Sequence, residues 1–85
     1  MKWVLVSTSN FERGLKRLSS VNLDRARITL EEIVLDPYSF KELKGRLGEL
    51  RSARFGTHRI IYTPNEKQME IVLLSVEQRS SVYKR

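Results

Sequence analysis

Eighty-five residues, 40% hydrophobic and 31% charged, supply one compact core and leave no room for a second. The chain has no cysteine and one histidine, which excludes a disulfide framework, thiolate zinc sites and thiol catalysis, and nearly excludes a His-based metal centre. Sixteen Lys and Arg stand against ten Asp and Glu, a net charge of +6, and the excess is uneven: residues 1–40 hold six basic and five acidic residues, residues 41–85 ten and five. Segregated positive charge on so small a domain favours a polyanionic partner, usually nucleic acid. The alternative is a solvated basic face with no partner. The longest apolar run, Ile71–Leu74, is far short of the roughly 20 residues that span a bilayer. The apolar start is too short for a signal peptide, so the expectation is one cytoplasmic domain over 1–85, with no membrane segment.

In chain order, Trp3-Val4-Leu5-Val6 reads as a buried strand. Ser9 with Glu12 three residues later fits a capping box, and Phe11, Leu15 and Leu18 form one stripe of the helix it opens. Ser19-Ser20 closes that helix, and Asn22 or Asp24 can cap a second. Leu23, Ala26, Leu30, Ile33 and Val34 line its apolar face, and Pro37 stops it at Asp36. Residues 38–48 read as a polar connection containing Leu43-Lys44-Gly45.

Three strands then follow. In 49–55, Ala53 and Phe55 take one face and Ser52 and Arg54 the other. After a Gly56-Thr57 turn comes 58–63, with Ile60 and Tyr62 on one face and Arg59 and Ile61 on the other. Residues 64–67 are a turn cluster. The nearly all-apolar 69–76 reads as a central strand covered on both faces, followed by a short basic tail. The expectation is an α+β layer in the order strand, helix, helix, strand, strand, strand: a mainly antiparallel four-stranded sheet with the helical hairpin on one face.

Such a sheet leaves its other face free. Arg54 and Arg59 flank the Gly56-Thr57 turn nearly symmetrically, which makes them cross-strand neighbours. Two like charges there repel unless an anion sits between them, and the planar guanidinium fork matches phosphate oxygens. The structural reading is that each Arg pairs with Glu49, Glu70 or Glu77. Arg79 and Tyr83, four residues apart, can present a cation beside a base-stacking ring; alternatively Tyr83 covers the sheet edge and Arg79 is solvated. His58, beside the turn, reads first as a structural or solvated residue, and Lys44 as a surface lysine of interest for lying in the basic half. No Ser/His/Asp set, carboxylate pair or glycine-rich phosphate loop is legible.

Taken together, Leu43-Lys44-Gly45, Arg54-Phe55-Gly56-Thr57-His58-Arg59-Ile60-Ile61-Tyr62, Leu74-Ser75-Val76 and Arg79-Ser80-Ser81-Val82-Tyr83 resemble the RelE/ParE toxin superfamily over the whole chain. The resemblance implies a small sheet with an N-terminal helical hairpin and a basic concave face. In the best-known branch it implies a toxin that enters the ribosomal A site and cuts mRNA; a sister branch on the same fold poisons DNA gyrase. By this resemblance Arg54 binds and activates the scissile region and Arg59 stabilises charge on the phosphate. Arg79 serves the leaving group, and Tyr83 stacks on or orients the mRNA. Lys44, Arg51, Ser52, His58 and Lys84 are the accompanying RNA-binding positions, although alternation turns Arg51 to the opposite face from Arg54. Ser52 stands where the family often has a second basic residue, His58 where Tyr is common, and Glu77 and Gln78 where Gly, Lys or His are usual.

The implied chemistry is RNA transesterification, in which the ribose 2′-oxygen attacks the adjacent phosphorus to give a cyclic phosphate and a free 5′-hydroxyl. It needs in-line alignment, charge stabilisation and a proton for the leaving oxygen, and no metal or cofactor. Arginines suit the second task better than base catalysis; Lys44 or His58 is the candidate base. The expected partners are the ribosome with its mRNA and an acidic antitoxin that wraps a net +6 domain. A gyrase inhibitor and a non-catalytic RNA-binding module are the competing readings.

Overall fold

A computed structural model describes residues 2–43 and 49–78. In chain order the elements are β1 (Val4–Ser7), α1 (Ser9–Lys16), α2 (Ser20–Leu35), β2 (Lys41–Glu42), β3 (Arg51–Phe55), β4 (His58–Asn65) and β5 (Glu70–Gln78). The strands form one sheet in the order β1-β5-β4-β3-β2, with β1 parallel to β5 and every other pair antiparallel. The α+β layer is as expected, but the sheet has five strands rather than four. The addition is β2, whose two residues are too few to show alternation.

Local chemistry sets the helix starts. Thr8, in an extended conformation, caps α1 by accepting from the Phe11 amide. The same hydroxyl donates to the Leu73 carbonyl at 2.9 Å and so ties the helix start to β5. The capping box expected at Ser9 is therefore displaced by one residue, and Glu12 instead accepts from the Ser7 hydroxyl at 2.5 Å. α1 stops at Lys16, and Ser19, read from the sequence as its end, caps α2 by accepting from the Asn22 amide. α2 ends at Leu35 with Asp36 as its cap, immediately before Pro37, as the proline dictates.

Both helices cover one face of the sheet. Phe11, Ala26 and Ile33 pack onto Ala53, Phe55, Ile60, Tyr62, Ile71 and Leu73. Tyr62 is fully buried, and its hydroxyl donates to the Pro37 carbonyl at 2.7 Å, which satisfies the one polar atom it carries into the core. α1 lies so close to β5 that a Cβ on Gly14 would stand 3.1 Å from the Val76 Cβ. At the β3–β4 turn, Gly56 has φ +57°, a conformation that favours glycine.

Three sequence expectations are corrected. β1 is not buried: it is an edge strand with Val4 57% exposed, because only β5 pairs with it. β4 runs through Pro64 to Asn65 rather than turning at Pro64. The β3 ladder ends at the Arg51–Tyr62 pair, so no β3 carbonyl needs the amide proton that proline lacks. β5 runs to Gln78, past the expected end at 76, and a bulge decides which of its residues take which face. Tyr62 pairs with Leu73 while Ile61 pairs with Ser75, leaving Leu74 as an extra residue. Without it, Leu73, Ser75 and Glu77 would share the core face. With it, Val76 turns in opposite Ile60, and Ser75 and Glu77 turn to the helix-free face.

Candidate functional site

Ladder register organises the face opposite α1 and α2, helix-free among the described residues, into rows. One row runs Arg54–Arg59–Glu77 across β3, β4 and β5. The next runs Lys41–Ser52–Ile61–Ser75, from β2 to β5. Directly paired residues point to the same side, so two arginines stand face to face, with a carboxylate beside the second.

The two arginines differ in their surroundings. Arg54 is exposed and makes no hydrogen bond or ion pair among the described residues. Arg59 is largely sunk, its side chain 18% exposed, and its Nη2 lies 3.5 Å from Glu77 Oε1. The second carboxylate oxygen of Glu77 accepts from the Ser75 hydroxyl at 3.1 Å. Arg59 Nε is closed off from solvent and has no hydrogen-bond partner among the described residues. A buried donor left unpaired costs about 1–3 kcal/mol, and like charges opposite each other on a sheet are destabilising. The row is thus electrostatically unfinished. An oxyanion between Arg54 and Arg59 would meet two planar donor groups, the arrangement that suits a phosphodiester.

The remaining candidates divide. Ser52 shares the face of the arginine pair. Arg51 points to the other side: its guanidinium donates to the Tyr38 and Phe40 carbonyls, lies 3.9 Å from Glu42 and sits over the Tyr38 ring. That ring meets Trp3 edge-on, so Arg51 clamps the connection before β2 onto the start of the chain. His58 also lies on the helix side. It stacks on Phe55 at 5.6 Å and lines a cleft with Gly14, Arg17 and Leu18, away from the arginine pair. Lys44, Arg79, Tyr83 and Lys84 lie outside the described residues.

Two residues join the site that sequence reasoning left out of it. Lys41 is brought alongside Ser52 by β2 and adds an exposed cation to the face. Glu77 was weighed only as a structural partner, and the bulge that places it beside Arg59 leaves no sequence signal. Among the described residues no group of three or more acidic or His side chains is placed to hold a metal ion, and no helix is long and apolar enough to cross a membrane.

No family model matches the sequence, and no curated protein matches it either. Solved structures do match. The RelBE2 toxin–antitoxin complex from Mycobacterium tuberculosis aligns at 26% identity over 93% of this chain and 100% of that one, with a TM-score of 0.80. The archaeal RelE–RelB complex from Pyrococcus horikoshii aligns at 24% identity over 93% and 97%, TM-score 0.75. The isolated RelE toxin of E. coli aligns at 18% identity over 95% and 90%, TM-score 0.80. The chain therefore has a RelE-like toxin fold. The match extends over 90–100% of the matched chain in each of these structures.

Proposed function

We propose that this protein is the toxin of a type II toxin–antitoxin pair, acting in the cytoplasm as a ribosome-dependent endonuclease that cuts mRNA in the A site. The observation that carries the reading is the Arg54–Arg59 pair, locked face to face by ladder register on the helix-free side of a RelE-like fold. In the mechanism, Arg54 and Arg59 hold the scissile phosphate and neutralise charge as the 2′-oxygen attacks phosphorus. Lys41 and Ser52 extend contact along the RNA backbone. Arg79 serves the leaving oxygen and Tyr83 stacks on a base, roles that rest on the sequence resemblance. The ribosome supplies in-line alignment, because the described face carries cations but few acid–base groups. The partner in the resting cell is an acidic antitoxin, in keeping with the net charge of +6 and with the antitoxin chains in the complexes of similar fold.

The test is direct. Purified protein added to programmed ribosomes should cut mRNA at A-site codons, leaving a cyclic phosphate and a 5′-hydroxyl, and should leave naked mRNA nearly intact. Intact mRNA in both settings, with inhibition of gyrase supercoiling instead, would select the gyrase-directed reading. Binding without cleavage in any setting would select the plain RNA-binding module.

A further inference from the structure

The carboxylate in the arginine row has no place in the mechanism above, and its contacts are specific. Glu77 uses one oxygen to reach Arg59 Nη2 and the other to accept from Ser75, while Arg59 Nε stays unpaired. Nε and one terminal nitrogen form the side-on edge with which a guanidinium grips an oxyanion through two parallel hydrogen bonds. In this structure Glu77 engages that guanidinium loosely, through a single nitrogen at 3.5 Å. Glu77 is itself 41% exposed at its side chain, so it can swing away without opening the core.

We propose that Glu77 is a resident anion that competes with phosphate for Arg59. In the unliganded protein it fixes the guanidinium, with Ser75 holding its far oxygen, and offsets part of the repulsion between Arg54 and Arg59. An incoming phosphodiester displaces it and, with the carboxylate swung aside, pairs with the guanidinium in its place. Glu77 thereby sets a threshold: an isolated phosphate binds weakly, and only a substrate with further contacts along the face carries enough binding energy to evict it. The carboxylate acts through Arg59 and is a positioning residue. The substrate class, a phosphodiester of single-stranded RNA, rests on the function proposed above; the competition for Arg59 does not.

The test uses the full chain, labelled so that the Arg59 Nε–H resonance is visible, and titrates inorganic phosphate and a short single-stranded RNA separately. Glu77→Gln keeps shape and removes charge, and should tighten binding of both probes about two- to fivefold, the range expected for one partly exposed competing charge. Glu77→Asp keeps the charge and should not tighten either. In the wild-type protein the Arg59 Nε–H and Glu77 carboxylate signals should shift together as phosphate is added. Equal or weaker binding by Glu77→Gln, or independent movement of the two signals, overturns the proposal. If Glu77→Gln tightens phosphate while no form binds RNA, the competition stands and the RNA reading falls. If wild type and Glu77→Gln bind RNA equally, the reading stands and the competition falls.

Discussion

The two faces of this sheet are built from the same strands and serve opposite ends. On the helix side of β3 and β4, Ala53, Phe55, Ile60 and Tyr62 are buried and matched to Phe11, Ala26 and Ile33 from the helices. One residue along, on the other side, Arg54 faces Arg59 with no anion between them among the described residues, and the loosely held Glu77 lies beyond Arg59 on β5. The first face is fully satisfied down to the Tyr62 hydroxyl; the second leaves a guanidinium nitrogen unpaired and like charges opposed. Relieving the like-charge pair would have made a slightly more stable domain. Leaving one face electrostatically unfinished is what a ligand of opposite charge can complete, and it is the usual pattern by which function costs stability.

That contrast breaks most readily at Tyr62. Tyr62→Ala removes a fully buried ring and orphans the Pro37 carbonyl, and should destabilise the domain by about 3–5 kcal/mol, a large share of an ordinary stability of roughly 5–15. Urea unfolding should show a far lower midpoint, or no folded baseline at all. A loss under about 1 kcal/mol would mean that the covered face is not the source of stability.

The other face should show the reverse signature. Arg59→Ala should lower ribosome-dependent cleavage about 100- to 1,000-fold, as for removal of one preorganised charge-stabilising donor. Stability should move by no more than about 1 kcal/mol, since the ion pair lost is partly exposed. Single-turnover cleavage and a melting curve on the same preparation check both halves. Full activity in a folded variant would remove Arg59 from the chemistry.

The covered face also has a pH signature. Burial, the largest cause, pushes the Tyr62 phenol up from 10.0 to about 12; nearby Arg51 works against the shift and Asp36 with it. A folded-state pKa above the unfolded one means that the folded protein holds the proton more tightly. The contribution is therefore whole below about pH 10 and is lost between about pH 10 and 12, about 3 kcal/mol in total. Denaturation midpoints measured across that window should fall steeply in the wild type. The fall should be shallower in Tyr62→Phe, which lacks the phenol. Parallel slopes would mean that the phenol ionises equally readily in both states.

Much of this arrangement was legible in the sequence, and what was not has physical causes. Alternation, loose in β3, set Ala53 and Phe55 apart from Ser52 and Arg54, and in β4 Ile60 and Tyr62 apart from Arg59 and Ile61. The symmetry of the pair about the Gly56 turn foretold their juxtaposition. β5 offered no alternation to read, because it is nearly all apolar, and the Leu74 bulge that changes its phase in mid-strand leaves no composition signal. Lys41 was hidden because a two-residue strand has no period, and its placement comes from a ladder to Arg51 and Ser52. β1 was misread as buried because Trp3–Val6 is apolar, whereas exposure depends on which strands lie alongside.

At the junction between the faces the expected effect is smaller. Thr8→Ala removes the cap acceptor for the Phe11 amide and the tie to the Leu73 carbonyl together, and should cost about 1–2 kcal/mol. Thr8→Ser keeps the hydroxyl and should recover most of the loss in the same melting experiment. Equal losses for both would assign the effect to the methyl group rather than to the cap.

The smallest effect is the most telling, because its sign is opposite to that of most substitutions. Arg54 is exposed, makes no described contact, and stands directly opposite Arg59. Surface substitutions of this kind ordinarily change stability by less than about 0.5 kcal/mol, and most changes that matter are losses. Here the residue removed is one half of a like-charge cross-strand pair, so Arg54→Ala should stabilise the domain by a few tenths of a kcal/mol at low salt. The gain should shrink as salt is added, because the repulsion is screened over a Debye length of about 10 Å at 0.1 M. The same variant should lose affinity for RNA, since it gives up one of two opposed phosphate donors. Paired denaturation curves at low and high salt, with RNA titrations alongside, measure all three quantities. A salt-independent loss of stability would show that Arg54 is held by attractive contacts, and the face would then lack the unrelieved repulsion that makes it a place for an anion.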